Sequence, residues 1–148
     1  MNYKEHVVKV YDNGDTYWYL DGKLHREDGP ACELANGDKE WWVNDKFHRE
    51  DGPAIEYVDG EKEWRVNGKR HREDGPAIEY ANGDKYWYLN GKSHREDGPA
   101  IEYADGTKHW YLDDEELTEE EFNSRQSDYS GKVVEIDGKK YKLQVIGE

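Results

Sequence analysis

Four histidines recur at His25, His48, His71 and His94, each opening the heptad His-Arg-Glu-Asp-Gly-Pro-Ala. Histidine, arginine and two carboxylates in so short a run could hold a metal, move protons or grip an anion. If each unit adds two strands, successive histidines stand ~9–10 Å apart, too far to share one zinc through bonds of ~2 Å. The heptad has no Ser or Cys nucleophile. Glu27 and Asp28 are adjacent, so on an extended chain they face opposite ways and make poor paired carboxylates. Four equal copies also lack the single asymmetric pocket that catalysis needs. No enzyme activity, catalytic residue, metal or cofactor is expected.

Two uses of the heptad remain. One is structural. Gly-Pro fixes a turn, the Asp accepts backbone N–H groups, and Arg26, Arg49, Arg72 and Arg95 pair with acids of the next unit as a clamp. The other is binding. Lys69, His71 and Arg72, and their copies Lys92, His94 and Arg95, place cationic and donor groups near each loop. With outer-face residues Tyr19, Trp42, Arg65, Tyr88 and Tyr111 they could hold a phosphate and stack a base.

The elements that position these loops also repeat. Trp18, Trp41, Trp64, Trp87 and Trp110 keep the heptad's 23-residue period. Asn-Gly or Asp-Gly turns flank each tryptophan, for example Asp59-Gly60 before Trp64 and Asn67-Gly68 after it. Such turns between apolar alternations predict hairpins of type I′, with both central residues at positive φ. One unit reads as a strand Ala54 to Tyr57, a turn, a second strand Lys62 to Val66, a second turn and the heptad loop. Alternation assigns Ile55, Tyr57, Trp64 and Val66 to the core face, and Glu56, Glu63 and Arg65 to the outer face. Cys32 occupies the slot filled elsewhere by Ile55, Ile78 and Ile101, which is the place of a packed apolar side chain.

The fold class expected is all-β: an elongated antiparallel β-hairpin repeat array in a single twisted sheet of about ten short strands, a short capping helix and a final β-hairpin. The array occupies residues 10–116, after an N-terminal cap strand in 1–9. Thr118 and Glu121 have capping-box spacing, predicting a helix from Glu119 to about Arg125 within a cap and linker at 117–128. Residues 129–148 read as a hairpin turning at Asp137-Gly138, with Val133, Ile136, Leu143, Val145 and Ile146 to bury. A lone hairpin is marginal in water. It must dock on the array or pair with another chain, which makes homo-oligomerisation through it one expectation.

Composition narrows the partners. The chain has 148 residues, 34% hydrophobic and 38% charged, with 6 Trp and 12 Tyr supplying buried area from few positions. A formal charge of −14 argues against long nucleic acid as a ligand and favours solubility, a basic protein partner or mimicry of a nucleic acid's charge. Seven acids crowd positions 113–121, a solvated cap or a docking patch. No apolar run approaches the ~20 residues of a membrane span, and the start lacks the apolar stretch of a signal peptide. The cytoplasm is the expected location.

The unit Trp-x-[Val/Leu]-Asn-Gly-Lys-x-His-Arg-Glu-Asp-Gly-Pro-Ala-Ile-Glu-Tyr-x-[Asn/Asp]-Gly resembles short repeats of bacteriophage and bacterial proteins. More distantly it is similar to the MORN family and its variant in bacterial antitoxin-like proteins. The resemblance covers residues from about 10 to 116 and is most specific in the heptad. The heptad also departs from the Gly and aromatic signature of typical MORN units. The resemblance implies a MORN-like hairpin array that mediates protein or lipid contacts without catalysis. A phage setting would imply a counter-defence accessory acting on a host protein in the host cytoplasm. An oligomeric sponge for a small nucleotide signal and a structural or assembly protein are the alternatives.

Overall fold

The computed structural model describes residues 4–129 and 133–143. Val145 and Ile146 lie outside the described residues. The described residues form an array of antiparallel hairpins with 20 short strands, one helix and a last hairpin. No described helix is long and apolar enough to cross a membrane.

A 12-stranded sheet runs the length of the array. It starts at the five-residue strand His6–Val10, paired with Thr16–Leu20. Two-residue strands follow, two per unit: Cys32–Glu33, Lys39–Glu40, Ile55–Glu56, Lys62–Glu63, Ile78–Glu79, Lys85–Tyr86 and Ile101–Glu102. Lys108–Leu112 and Glu115–Leu117 close it. From Cys32–Glu33 to Lys108–Leu112, register places opposite charges across each step. Lys39 lies between Glu33 and Glu56, Lys62 between Glu56 and Glu79, and Lys85 between Glu79 and Glu102. Each such cross-strand pair favours this register over its neighbours.

The second strand expected in each interior unit is cut in two at its tryptophan. Lys62–Glu63 stays in the main sheet, whereas Arg65–Val66 turns out of it to pair with a third strand, Lys69–Arg70. Trp64 sits at the bend and gives its N–H to Ala77 and its C=O to His71, and so ties the heptad loop on both sides. The hairpins form a second row beside the main sheet, stitched unit to unit. Arg72 N–H donates to Tyr88 C=O, and Gly91 N–H to Arg70 C=O. The expected single sheet is therefore a sheet plus a row of hairpins.

The two turns of a unit differ although both read Asn-Gly or Asp-Gly. Asn67 and Gly68 both have positive φ, 50° and 79°, the type I′ pattern. In the other turn only Gly60 does, at 97°. Tyr57 C=O accepts from Gly60 N–H, and Tyr57 N–H donates to Glu61 C=O. This is a type I turn ending in a glycine bulge. Its Asp copies reach across to the next unit: Asp15 accepts from Ala35 N–H at 2.8 Å, Asp38 from Val58 N–H at 2.8 Å, and Asp84 from Ala104 N–H at 2.7 Å.

Register also corrects the face assignment. Ile55 stands opposite both Glu40 and Glu63, so these side chains share a face, with Arg65 two residues on. Trp64 points to the other side, together with Glu56 and Glu79. Sequence alternation had placed Trp64 with Ile55, one residue out of phase. The deepest core lies at the heptad's end. Ala31, Ala54, Ala77 and Ala100 are all 0% exposed, followed by Cys32, Ile55 and Ile78.

The C-terminal cap forms as expected, through a reciprocal capping box. Thr118 N–H donates to the Glu121 carboxylate at 2.8 Å, and Glu121 N–H to Thr118 Oγ1 at 3.2 Å. The helix runs Glu119–Tyr129, through the segment expected as a linker. Leu117 and Phe122 are buried under it, and Arg125 pairs with Glu115 at 2.7 Å. The last hairpin pairs Val133–Ile136 with Lys139–Lys142 about Asp137-Gly138.

Candidate binding surface

Each heptad residue has a structural partner, and four copies repeat the same geometry. The arginine is central. Arg72 lies over the Trp64 ring, 3.9 Å from guanidinium carbon to ring centroid. The copies Arg26, Arg49 and Arg95 lie 4.2, 4.0 and 4.0 Å over Trp18, Trp41 and Trp87. Arg72 Nε donates to Asp74 at 2.9 Å, and its Nη1 donates to Pro76 C=O at 3.1 Å and to Glu79 at 2.9 Å. Glu79 belongs to the next unit, so one guanidinium joins a loop, a ring and the following strand. A charge stacked on indole and forked between two carboxylates uses what Arg offers and Lys lacks.

The heptad glycine lies in the bend of the loop and also leaves room for this stack. Its φ is not positive in any copy. A Cβ on Gly75 would meet Arg72 Cζ at 2.9 Å, and one on Gly52 would meet Arg49 Cζ at 2.8 Å. Real Cβ atoms do not approach so closely, so another residue at Gly75 or Gly52 would require the guanidinium to shift.

Histidine ties each loop to the turn of the next unit. His48 Nδ1 accepts from Asn67 N–H at 3.1 Å, His71 Nδ1 from Asn90 N–H at 3.0 Å, and His94 Nδ1 from Asp113 N–H at 3.2 Å. Nε2 faces the heptad glutamate, 3.7 Å from Glu73 and 3.4 Å from Glu96. Among the described residues no three His, Cys, Asp or Glu side chains converge as metal ligands would.

The acids point outward. Glu73 is 85% exposed at its side chain and Asp74 87%. The hydrogen bond and charge of Arg26, Arg49 and Arg72 hold Asp28, Asp51 and Asp74 below the ordinary carboxylate value. Between successive loops open clefts result. One is walled by Arg72 to Pro76 and by His94 to Asp97, over a floor of Trp87 and Leu89. The cleft before it has the same walls one unit earlier, over Trp64 and Val66.

The remaining sequence-predicted residues lie elsewhere. Lys69 and Lys92 belong to the hairpin row and do not line these clefts. Trp42, Arg65 and Tyr88 also head that row, on the face of Ile55, and their copies Tyr19 and Tyr111 lie in the five-residue strands near the two ends of the sheet. Tyr19 lies under Lys9, at 4.6 Å, and Tyr88 under Arg70, at 5.4 Å. Trp42 packs on Phe47 with centroids 3.7 Å apart and donates to Glu40 at 2.8 Å. Burial, then the Glu116 charge, pushes the Tyr111 hydroxyl above its ordinary value. The heptad cations and the aromatics proposed to stack a base thus face opposite ways.

One cluster escaped the sequence reading. Glu63 is only 6% exposed and is gripped by Arg65 at 2.6 Å and Arg70 at 2.8 Å. Its copies are Tyr17, Glu40, Tyr86 and His109, a position that varies more than the neighbouring slot of Cys32, Ile55, Ile78 and Ile101. That variability was the available signal. Cys32 is buried as expected, and burial first, then Glu40, pushes its thiol up to about 12.

Compared with known proteins, the chain matches no family model and no curated sequence.

Proposed function

We propose that this chain is a non-catalytic binding protein that occupies a basic surface of another protein. One observation carries the reading: every heptad turns its cation inward onto tryptophan and its carboxylates outward to solvent. The clefts add an apolar floor between acidic rims. A lysine or arginine laid into one rests its aliphatic stem on Trp87 or Trp64, with its charge among Glu73, Asp74, Glu96 and Asp97. Successive clefts repeat the offer, so an extended basic segment gains by multivalency.

The resemblance to bacteriophage repeats supports a host protein as the partner and a counter-defence role in the host cytoplasm. A small nucleotide has less support, because Arg72 and Arg95 are already spent on rings, loop carbonyls and carboxylates.

A labelled Lys-rich peptide titrated into the full chain tests this reading. We expect binding that weakens with salt and weakens again in Glu50→Gln/Glu73→Gln/Glu96→Gln. Thermal stabilisation by a nucleotide, with no response to the peptide, would replace it with the nucleotide sponge.

A further inference from the structure

We propose that the strand His6–Val10 is the interface of a homodimer, its outer edge, unpaired among the described residues, pairing antiparallel with the same strand of a second copy. It is the outermost strand of the 12-stranded sheet, with Thr16–Leu20 on its inner side. Glu5 C=O accepts from Asp21 N–H, and Tyr11 N–H donates to Asp15 C=O. Antiparallel pairing alternates inward and outward groups, so positions 5, 7, 9 and 11 bond to the sheet. Positions 6, 8 and 10 turn their N–H and C=O groups away from it.

This edge has five residues, against two in the strands of the middle of the sheet, and carries three valines. Val8 is 53% exposed and Val10 72%. A long, flat, apolar edge is a template for another strand unless it is blunted. The opposite end of the same sheet is covered by the helix Glu119–Tyr129, which buries Leu117 and Phe122.

Charge selects a second copy as the occupant. An antiparallel pair centred on Val7 places Glu5 opposite Lys9 of the partner subunit, and Lys9 opposite Glu5 of the partner subunit. The same register sets His6 against Val8 of the partner subunit, so both outward-bonding positions meet outward-bonding positions. One two-fold axis satisfies backbone and charge together, the closed arrangement that self-complementary edges give.

The test is the native mass of the full chain and three variants. Val8→Pro removes an outward N–H and leaves the inward ladder intact. Lys9→Glu sets like charges opposite each other. Glu5→Lys/Lys9→Glu restores opposite charges with their positions exchanged. The wild type should run at twice 17.4 kDa, both single variants at the monomer mass with an unchanged far-UV spectrum, and the exchanged pair as a dimer again. Should Val8→Pro unfold, Lys9→Glu and its rescue decide. A monomeric wild type overturns the proposal. So does a dimer that survives both single changes, including one abolished only by deleting residues 130–148.

Discussion

The two faces of the array are built on opposite plans. On one, Arg26, Arg49, Arg72 and Arg95 repeat a single geometry on Trp18, Trp41, Trp64 and Trp87, within 0.3 Å of one another. On the other, the equivalents of Glu63 are Tyr17, Glu40, Tyr86 and His109, and those of Arg65 are Tyr19, Trp42, Tyr88 and Tyr111. The first face is stitching. Each residue there meets a neighbour that is itself repeated, so one change breaks a contact between units. The second face finds local solutions: Trp42 on Phe47, Arg65 and Arg70 on Glu63, and Tyr80, Tyr86 and Tyr103 edge to face. Most of these contacts stay within one unit, and only Tyr86 to Tyr103 crosses to the next. Repetition within a chain therefore marks where units join.

Substitutions on the two faces sharpen this contrast. The largest loss should come from Arg72→Ala, which removes a ring stack and three hydrogen bonds. We expect a cost of about 3 kcal/mol in urea unfolding. Gly75→Ala should cost about 2 kcal/mol, because the new methyl displaces the guanidinium from a fixed site. Arg65→Tyr, which gives the third unit the residue of the fourth and fifth, should cost about 1 kcal/mol or less. A larger loss there than at Arg72 would reverse the contrast.

Acid should weaken the first face. Asp28, Asp51 and Asp74 hold their protons less readily in the fold than in the unfolded chain, through the hydrogen bond and charge of Arg26, Arg49 and Arg72. Their contribution is complete above the ordinary value of 3.8 and is lost as pH falls below it. A pH series of melts on wild type and Asp74→Asn checks this, with the difference between them vanishing at low pH. The smallest effect expected is a gain. Glu61 stands where Asp15, Asp38 and Asp84 cap the next turn, and burial raises its carboxyl above the ordinary value. Glu61→Asp should add the missing bond and about 0.5 kcal/mol.

Much of the scaffold was legible in the chain. Period, turns, capping box and final hairpin follow from local chemistry, and so does the link from Arg72 to an acid of the next unit. What was misread needed register. Alternation alone cannot say which residues of two strands share a face, so Trp64 was placed beside Ile55 and its partner Arg72 was missed. The bend at Trp64 and the third strand Lys69–Arg70 arise from hydrogen bonds to Ala77 and to the neighbouring hairpins, which no local pattern encodes. The glycine looked like a turn residue alone, but it also leaves the space that Arg72 fills.

The clamp itself is tested most directly by a double-mutant cycle on Arg72→Ala and Trp64→Ala, read by urea unfolding. A guanidinium held on the indole predicts a coupling of about 1 kcal/mol or more between the two sites. Losses that simply add would show that arginine and tryptophan stabilise the array separately, and would contradict the account.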